Sequence, residues 1–294
     1  MQVSDPRIPN RVGQVIRGRY ELVSLIDKGG QGVVYKARDL VDRDEVAIKV
    51  LNDAMAYDAD WRERMFREAH ALTSLTGTAA VRVFDQIWSE DGALCLVMEL
   101  LRGLDLDDYL KSLEESGQRV TIPLVFRLLG PIVDTLEVAH DQGILHRDLK
   151  PPNIFVLEPL GIGGVKLLDF GFAKFVRLRS VTAAGFVAGS PSYIAPESWR
   201  GDPALIDRRI DVYALAAVIF RTLAGKPPFV SSDLRELLRM ATSGPRPSLH
   251  AIRQDLPPAI DDWVQQALAV EPGERFFRVR AMWNAFCEVV REES

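Results

Sequence analysis

The chain reads as an α+β protein with a strand-rich first third and a helix-rich remainder. Two observations carry that reading. Residues 20–100 alternate apolar and polar side chains in short runs separated by glycine-bearing turns, the pattern of strands. Later in the chain apolar residues recur at helical spacing, most clearly from Ile122 to His140 and from Asp211 to Phe220. Size is a third constraint: 294 residues that are 47% hydrophobic suit one large domain or two lobes. The expected organisation is an N-terminal extension over 1–15, a small first lobe over about 16–101 and a larger, mainly helical lobe over about 102–290.

Composition excludes several function classes. A net charge of -5 argues against a nucleic-acid footprint. The only two cysteines, Cys95 and Cys287, lie in apolar segments and read as buried free thiols. A reducing, cytoplasmic setting fits them. Cysteine and histidine show no metal-ligand spacing. Met1 to Asn10 is polar, carries two prolines and lacks the apolar stretch of a signal peptide. Ala214 to Phe220, the longest apolar run, is too short to cross a bilayer, so no membrane segment is expected.

In the first lobe, Tyr20–Ile26 and Val33–Asp39 read as strands joined across Asp27-Lys28-Gly29-Gly30-Gln31-Gly32. Glycines there let backbone N–H groups approach a phosphate closely, and they equally suit a plain hairpin turn. Val46 to Leu51 is a β-branched strand that puts Val46, Ile48 and Val50 on one face and Ala47, Lys49 and Leu51 on the other. Lys49 is then either an edge-strand or snorkelling lysine, or an ammonium aimed into a cleft beside the small Ala47. Trp61 to Leu75 has helical spacing, with Asp60 as N-cap and Glu63 three residues on. Glu68 lies beside its apolar face, either in solvent or paired with Lys49. Leu94 to Leu101 reads as a buried strand, followed by Gly103 and an acidic turn, Asp105 to Asp108.

Chemistry concentrates in the second lobe. The helix from Ile122 to His140, expected to bend at Gly130-Pro131, leads into His146-Arg147-Asp148-Leu149-Lys150-Pro151-Pro152-Asn153. Asp148 can accept a proton, Lys150 can neutralise a developing anion, and Asn153 can offer a hard oxygen to a metal. Phosphoryl transfer needs those parts, because it depends mainly on positioning and charge stabilisation. Ile154–Leu157 and Val165–Leu168 follow as short strands, and their glycine-rich connection favours an antiparallel hairpin. That hairpin brings Asn153, before its first strand, toward Asp169, after its second. Two hard oxygen donors suit Mg²⁺. Phe172 to Ser192 reads as a surface segment, and the block from Asp211 as a buried helix ended by Gly225 and Pro227-Pro228.

Taken together, these motifs resemble a Ser/Thr protein kinase of the Hanks type, in a bacterial style, over roughly residues 16–290. The elements are the glycine-rich turn, Val46-Ala47-Ile48-Lys49, His146 to Asn153, Asp169-Phe170-Gly171, Gly189 to Glu197, and Arg275. The resemblance implies a bilobal protein-kinase-like fold that uses ATP and Mg²⁺, with Mn²⁺ as a substitute. It implies nucleotide contacts from Gly29, Gly30, Gly32, Val34, Ala47, Lys49, Met98, Glu99, Leu101 and Phe155. By it Lys49 pairs with Glu68, Asp148 and Lys150 are catalytic, and Asn153 and Asp169 hold the metal. An aspartate at 211 braces the catalytic loop, and Arg275 pairs with Glu197. Arg147, beside Asp148, implies control by loop phosphorylation, with Thr182 and then Ser180 as acceptors. Lys150-Pro151 and Ser190 favour a protein Ser/Thr hydroxyl as substrate. Self-association for trans-autophosphorylation is a further implied partner.

One departure stands out. Asp27 occupies the place of the first glycine in the family's Gly-x-Gly-x-x-Gly turn, and its carboxylate is expected to weaken ATP binding. It is the one feature favouring a nucleotide-binding pseudokinase scaffold. A small-molecule phosphotransferase of related fold is a second alternative, which Ala195-Pro196-Glu197 argues against. A purely structural protein would not need Lys49, Glu68, Asp148, Asn153 and Asp169 together.

Overall fold

The computed structural model describes residues 11–29, 32–51, 63, 66, 73–160, 162–170, 191–200 and 205–291. The chain divides into two compact units, one comprising residues up to Thr76 plus Val81–Leu101, the other Gly77–Ala80 plus the rest from Arg102.

The first unit is an antiparallel sheet of β1 (Val15–Ile16), β2 (Tyr20–Gly29), β3 (Gly32–Asp39), β4 (Glu45–Leu51), β5 (Val83–Trp88) and β6 (Leu94–Glu99), in the order β1-β2-β3-β4-β6-β5. Period-two alternation builds its core. Tyr20, Leu22, Tyr35, Ile48, Cys95 and Val97 pack on one face, joined by Val46 and Val50. Ala47, Lys49 and Leu51 fall on the opposite face of β4 and are buried as well. β4 is flanked by β3 and β6, so Lys49 is not on an edge. At 3% exposure it does not snorkel either. An ion pair anchors the sheet's margin: Arg19 grips the buried Asp39 through bonds of 2.6–2.9 Å. That hydrogen bonding holds the Asp39 carboxyl at about 2.

The second unit opens with β7 (Gly103–Asp105), which joins β8 (Ile154–Leu157) and β9 (Val165–Leu167) in a small antiparallel sheet. Its described helices are α1 (Leu106–Glu115), α2 (Ile122–Asp141), α3 (Pro196–Arg200), α4 (Arg209–Ala224), α5 (Leu234–Ser243), α6 (Ile260–Ala267) and α7 (Val279–Arg291). α4 is buried on every side from Ile210 to Leu223, Asp211, Arg221 and Thr222 included, as a sequence apolar on nearly all sides predicts. Gly225 ends it in the left-handed conformation at φ 76°, donating its N–H to Arg221. Aromatic rings tie α7 to its neighbours: Trp283 meets Phe126 of α2 at 5.7 Å, and Phe286 meets Trp263 of α6 at 5.2 Å. Among the described residues no helix is long and apolar enough to cross a membrane.

Several expectations need correction. The strand from Leu94 stops at Glu99, whose N–H turns to Arg82. The acidic segment after it is no free turn. Asp105 caps α1 by accepting from the N–H of Asp108, and Asp107 and Asp108 lie in the helix's first turn, where its dipole favours carboxylates. The helix expected over 61–75 lies mostly outside the described residues. Its last three, Thr73–Leu75, form a 3₁₀ turn, and Phe66 is exposed rather than on a buried face. β9 ends at Leu167, one residue early. Both cysteines are free, but only Cys95 is buried, its thiol pushed up to about 11 by burial; Cys287 is partly exposed.

Candidate active site

The octapeptide from His146 to Asn153 links α2 to β8 and contains almost no regular structure, so side chains must satisfy its backbone. Asp211, in the first turn of α4, does this. Its Oδ2 accepts the N–H of His146 at 2.8 Å and its Oδ1 accepts the N–H of Arg147 at 2.9 Å. Oδ2 also accepts from Nε2 of His140, at the end of α2, at 2.8 Å. Burial alone would raise the Asp211 carboxyl, yet hydrogen bonding and charge from His140, with help from His146, hold it below the ordinary range. The brace also maintains an unfavourable backbone. Arg147 has φ 63°, a left-handed conformation that costs a non-glycine residue roughly 1–3 kcal/mol.

His146 braces the loop from the other side. Its ring is fully buried, 4.7 Å from Phe170, with Nε2 2.9 Å from the carbonyl of Leu168. The N–H of Asp148 lies 3.3 Å from Nδ1 and 2.9 Å from the His146 carbonyl. Nδ1 therefore accepts and Nε2 donates, which defines a neutral tautomer. Burial accordingly lowers the imidazole below its ordinary value, against the pull of Asp211. With Nε2 committed to Leu168, this histidine is a positioning group.

The chemistry-bearing side chains converge on Asp148, itself buried. Its Oδ2 accepts from Lys150 Nζ at 3.0 Å and from Asn153 Nδ2 at 3.2 Å, and Asn153 Nδ2 also reaches the Asp148 carbonyl at 2.7 Å. An acid, an ammonium and an amide are thus held in one cluster by charge-assisted bonds. The hairpin β8–β9 pairs Ile154 with Leu167, and the N–H of Leu168 donates to the carbonyl of Asn153 at 2.8 Å. That closure delivers Asp169 immediately after, at φ 48°. With Nδ2 of Asn153 occupied, the amide's remaining polar atom is a hard oxygen. Asp169 contributes a carboxylate. This donor chemistry fits a small divalent cation.

Below this cluster, Glu197 and Arg275 form a bidentate pair at 2.7 Å on both arms, with both side chains fully buried. Arg275 also donates to the carbonyls of Ala269, Val270 and Arg209, so each of its nitrogens is used.

The remaining expected residues lie elsewhere. In the first unit Lys49 and Ala47 are buried, Val34 is half-buried, and Met98 is nearly buried. Glu99 accepts the N–H of Arg82 through its carboxylate at 2.7 Å and commits its own N–H to Arg82, so a backbone bond from Glu99 to a ligand must use its carbonyl. Leu101 and, in the second unit, Phe155 are partly exposed. At Gly32 φ is 156° and an added Cβ would lie 2.3 Å from the Val50 carbonyl. That glycine is required by the contact between β3 and β4. At Gly29 an added Cβ would meet nothing within 4 Å. Asp27 is exposed and turns its carboxylate to the N–H of Lys28 at 2.8 Å. Gly30, Glu68, Ser180, Thr182 and Ser190 lie outside the described residues. Sequence reasoning missed His140 and the role of His146, although a histidine on each side of the α2 terminus was a visible signal.

Comparison with known proteins follows the same lines. The protein kinase domain family matches residues 20–286. The chain is 34% identical to the serine/threonine-protein kinase PknH of Mycobacterium bovis over 91% of its own length and 43% of that protein's. It is 31% identical to PrkC of Bacillus subtilis, likewise a serine/threonine-protein kinase, over 90% of this chain and 39% of that one. The chain therefore spans about two fifths of the length of these curated relatives. Its fold resembles the crystal structure of the Mycobacterium tuberculosis PknI kinase domain, with a TM-score of 0.72 and 29% identity over 94% of this chain and 98% of that one. On that family match, which covers most of the chain, the chain belongs to the protein kinase domain family.

Proposed function

We propose that the chain is a Mg-ATP-dependent Ser/Thr protein kinase. The observation that supports it best is the Asp148 carboxylate held by Lys150 and Asn153. Asp148 orients a substrate hydroxyl and takes its proton as the oxygen bonds to the γ-phosphorus of ATP. The bond from that phosphorus to the β–γ bridging oxygen breaks, and ADP leaves with the electron pair. Lys150 stabilises the charge on the transferring group. Asn153 and Asp169 would hold Mg²⁺, which supplies charge neutralisation for the β- and γ-phosphates when bound. In the first unit Gly29, Gly32, Val34, Ala47, Lys49, Met98, Glu99 and Leu101 carry the nucleotide roles that the kinase resemblance assigns. Phe155 carries one in the second unit. Glu68 pairing with Lys49, and control through Arg147 by Thr182, Ser180 or Ser190, belong to the same proposal.

The test is incubation with γ-labelled ATP, Mg²⁺ and a generic basic protein. The wild type should transfer label to Ser or Thr, and Asp148→Asn should lose roughly 10²–10⁴-fold in rate, the usual contribution of a general base. Equal transfer by both proteins, or none by either, overturns the proposal.

A further inference from the structure

Away from the catalytic loop, the second unit contains a cavity of about 540 Å³, lined by the α1–α2 loop, the first turn of α2, the segment before α6 and the end of α7. That volume is in the range of small-molecule sites. No residue lining it is used by the phosphoryl-transfer cluster.

Its walls and rim have different chemistry. The floor is apolar, with Leu256 and Val290 buried and the Phe126 ring partly so. The charged lining residues are Arg119, Arg253, Asp255 and Arg291, an excess of positive charge. Arg253 is fully committed. It holds Asp255 at 2.8 and 2.7 Å and donates to the carbonyls of Val120 and Leu223 at 3.2 and 3.1 Å. The Arg253–Asp255 pair is therefore internally neutral and serves as wall. Arg119 and Arg291 are exposed. Hydrogen bonding from Arg253 lowers the Asp255 carboxyl and the field of Arg119 adds to it, yet neither Arg119 nor Arg291 lies within salt-bridge distance of a carboxylate among the described residues. Arg291 stacks over Phe126 at 5.7 Å, which fixes a cation beside the apolar floor. Thr121, the N-cap of the twenty-residue α2, also lines the cavity and makes no side-chain cap. The positive end of that helix adds to the same field.

We infer that this cavity binds a small apolar carboxylic acid, its hydrocarbon body against Phe126, Leu256 and Val290 and its carboxylate between Arg119 and Arg291. Charge complementarity selects the acid over a neutral molecule. The apolar floor selects it over a bare inorganic anion. The inference does not depend on the phosphoryl-transfer proposal, because none of its residues belongs to that cluster and binding of the probe is read without any transfer of phosphate.

The experiment is isothermal titration of the full chain with 1-naphthoate, 1-naphthamide and inorganic phosphate as probes. Naphthoate should bind saturably, the neutral amide at least ten-fold more weakly, and phosphate should fail to displace naphthoate at equal concentration. The double variant Arg119→Glu/Arg291→Glu should lose at least ten-fold in naphthoate affinity, whereas Arg119→Lys/Arg291→Lys should stay within a few-fold. Both arginines are exposed, so the thermal midpoint should not move, and Mg-ATP should not displace the probe. Equal binding of acid and amide, unchanged affinity in the Glu variant, or displacement by phosphate or Mg-ATP would each overturn it.

Discussion

The catalytic loop and the glycine-rich turn are held in opposite ways. The loop from His146 to Asn153 is largely buried, has a single 3₁₀ turn at Pro151–Asn153 as its regular structure, and is fixed by side chains distant in sequence: Asp211 lies 65 residues from His146. The glycine-rich turn is flanked by the β2–β3 ladder. Its register runs Asp27 to Val34 and Gly29 to Gly32, and β2 is exposed from Val23 onward. The contrast teaches that Asp148 is held in place by a polar network in low dielectric, where each bond is strong and each loss costly. The strand ends beside the turn rely on ladder pairing, and Val23 to Gly29 are exposed.

The sharpest way to break the loop side is Asp211→Ala. It strands two buried N–H groups and His140, and each such group costs about 1–3 kcal/mol. Arg147 would also be released from its left-handed backbone. We expect a loss of about 3 kcal/mol or more in urea denaturation, together with loss of phosphoryl transfer. A variant of unchanged stability would show that the brace is dispensable.

On the turn side, two glycines separate packing from ligand approach. Gly32→Ala drives a Cβ against the Val50 carbonyl and should cost about 1–3 kcal/mol, the usual range for overpacking. Gly29→Ala meets open space, so its stability should stay within about 0.5 kcal/mol of wild type. Any effect there should appear in nucleotide affinity alone. Comparing thermal midpoints with ATP titrations of the two variants checks both halves.

Titration adds a smaller, signed effect. His146 is kept neutral when folded, its value depressed by burial. Above the ordinary histidine value of about 6.5 both folded and unfolded rings are neutral and contribute no pH dependence. As pH falls below it, the unfolded chain binds a proton that the buried ring refuses, so stability declines. His146→Phe should flatten part of the slope of unfolding free energy between about pH 6.5 and 5. An unaltered slope would place the proton uptake elsewhere.

The smallest expected change is Asp27→Gly. Because the carboxylate is exposed and already accepts the N–H of Lys28, its repulsion of a triphosphate is screened, and replacement should tighten ATP binding by only a few-fold. Equal or weaker binding in the glycine variant contradicts the repulsion.

Much of this molecule was legible in sequence where a local period or a turn residue controls the outcome. Alternation marked β3 and β4, a continuous apolar run marked β6, and an apolar block marked α4. The glycine-rich connection of the β8–β9 hairpin indicated antiparallel pairing, which places Asp169 after a strand closing on Asn153. Charges at element ends were harder. Asp105 to Asp108 read as a turn because acidic residues favour both turns and helix N-termini, and only the helix that follows distinguishes them.

By itself, then, the sequence determined the α+β order of elements and the side chains that can carry phosphoryl transfer. It did so because periodicity and residue chemistry are local properties. Tertiary structure alone decided that Lys49 is a buried lysine on a central strand. It decided that Gly32 is demanded by the Val50 carbonyl, and that His140, His146 and Asp211 lock the loop carrying Asp148. Each of these depends on groups far apart in the chain meeting at hydrogen-bond or van der Waals distance, and on the burial that makes such meetings strong.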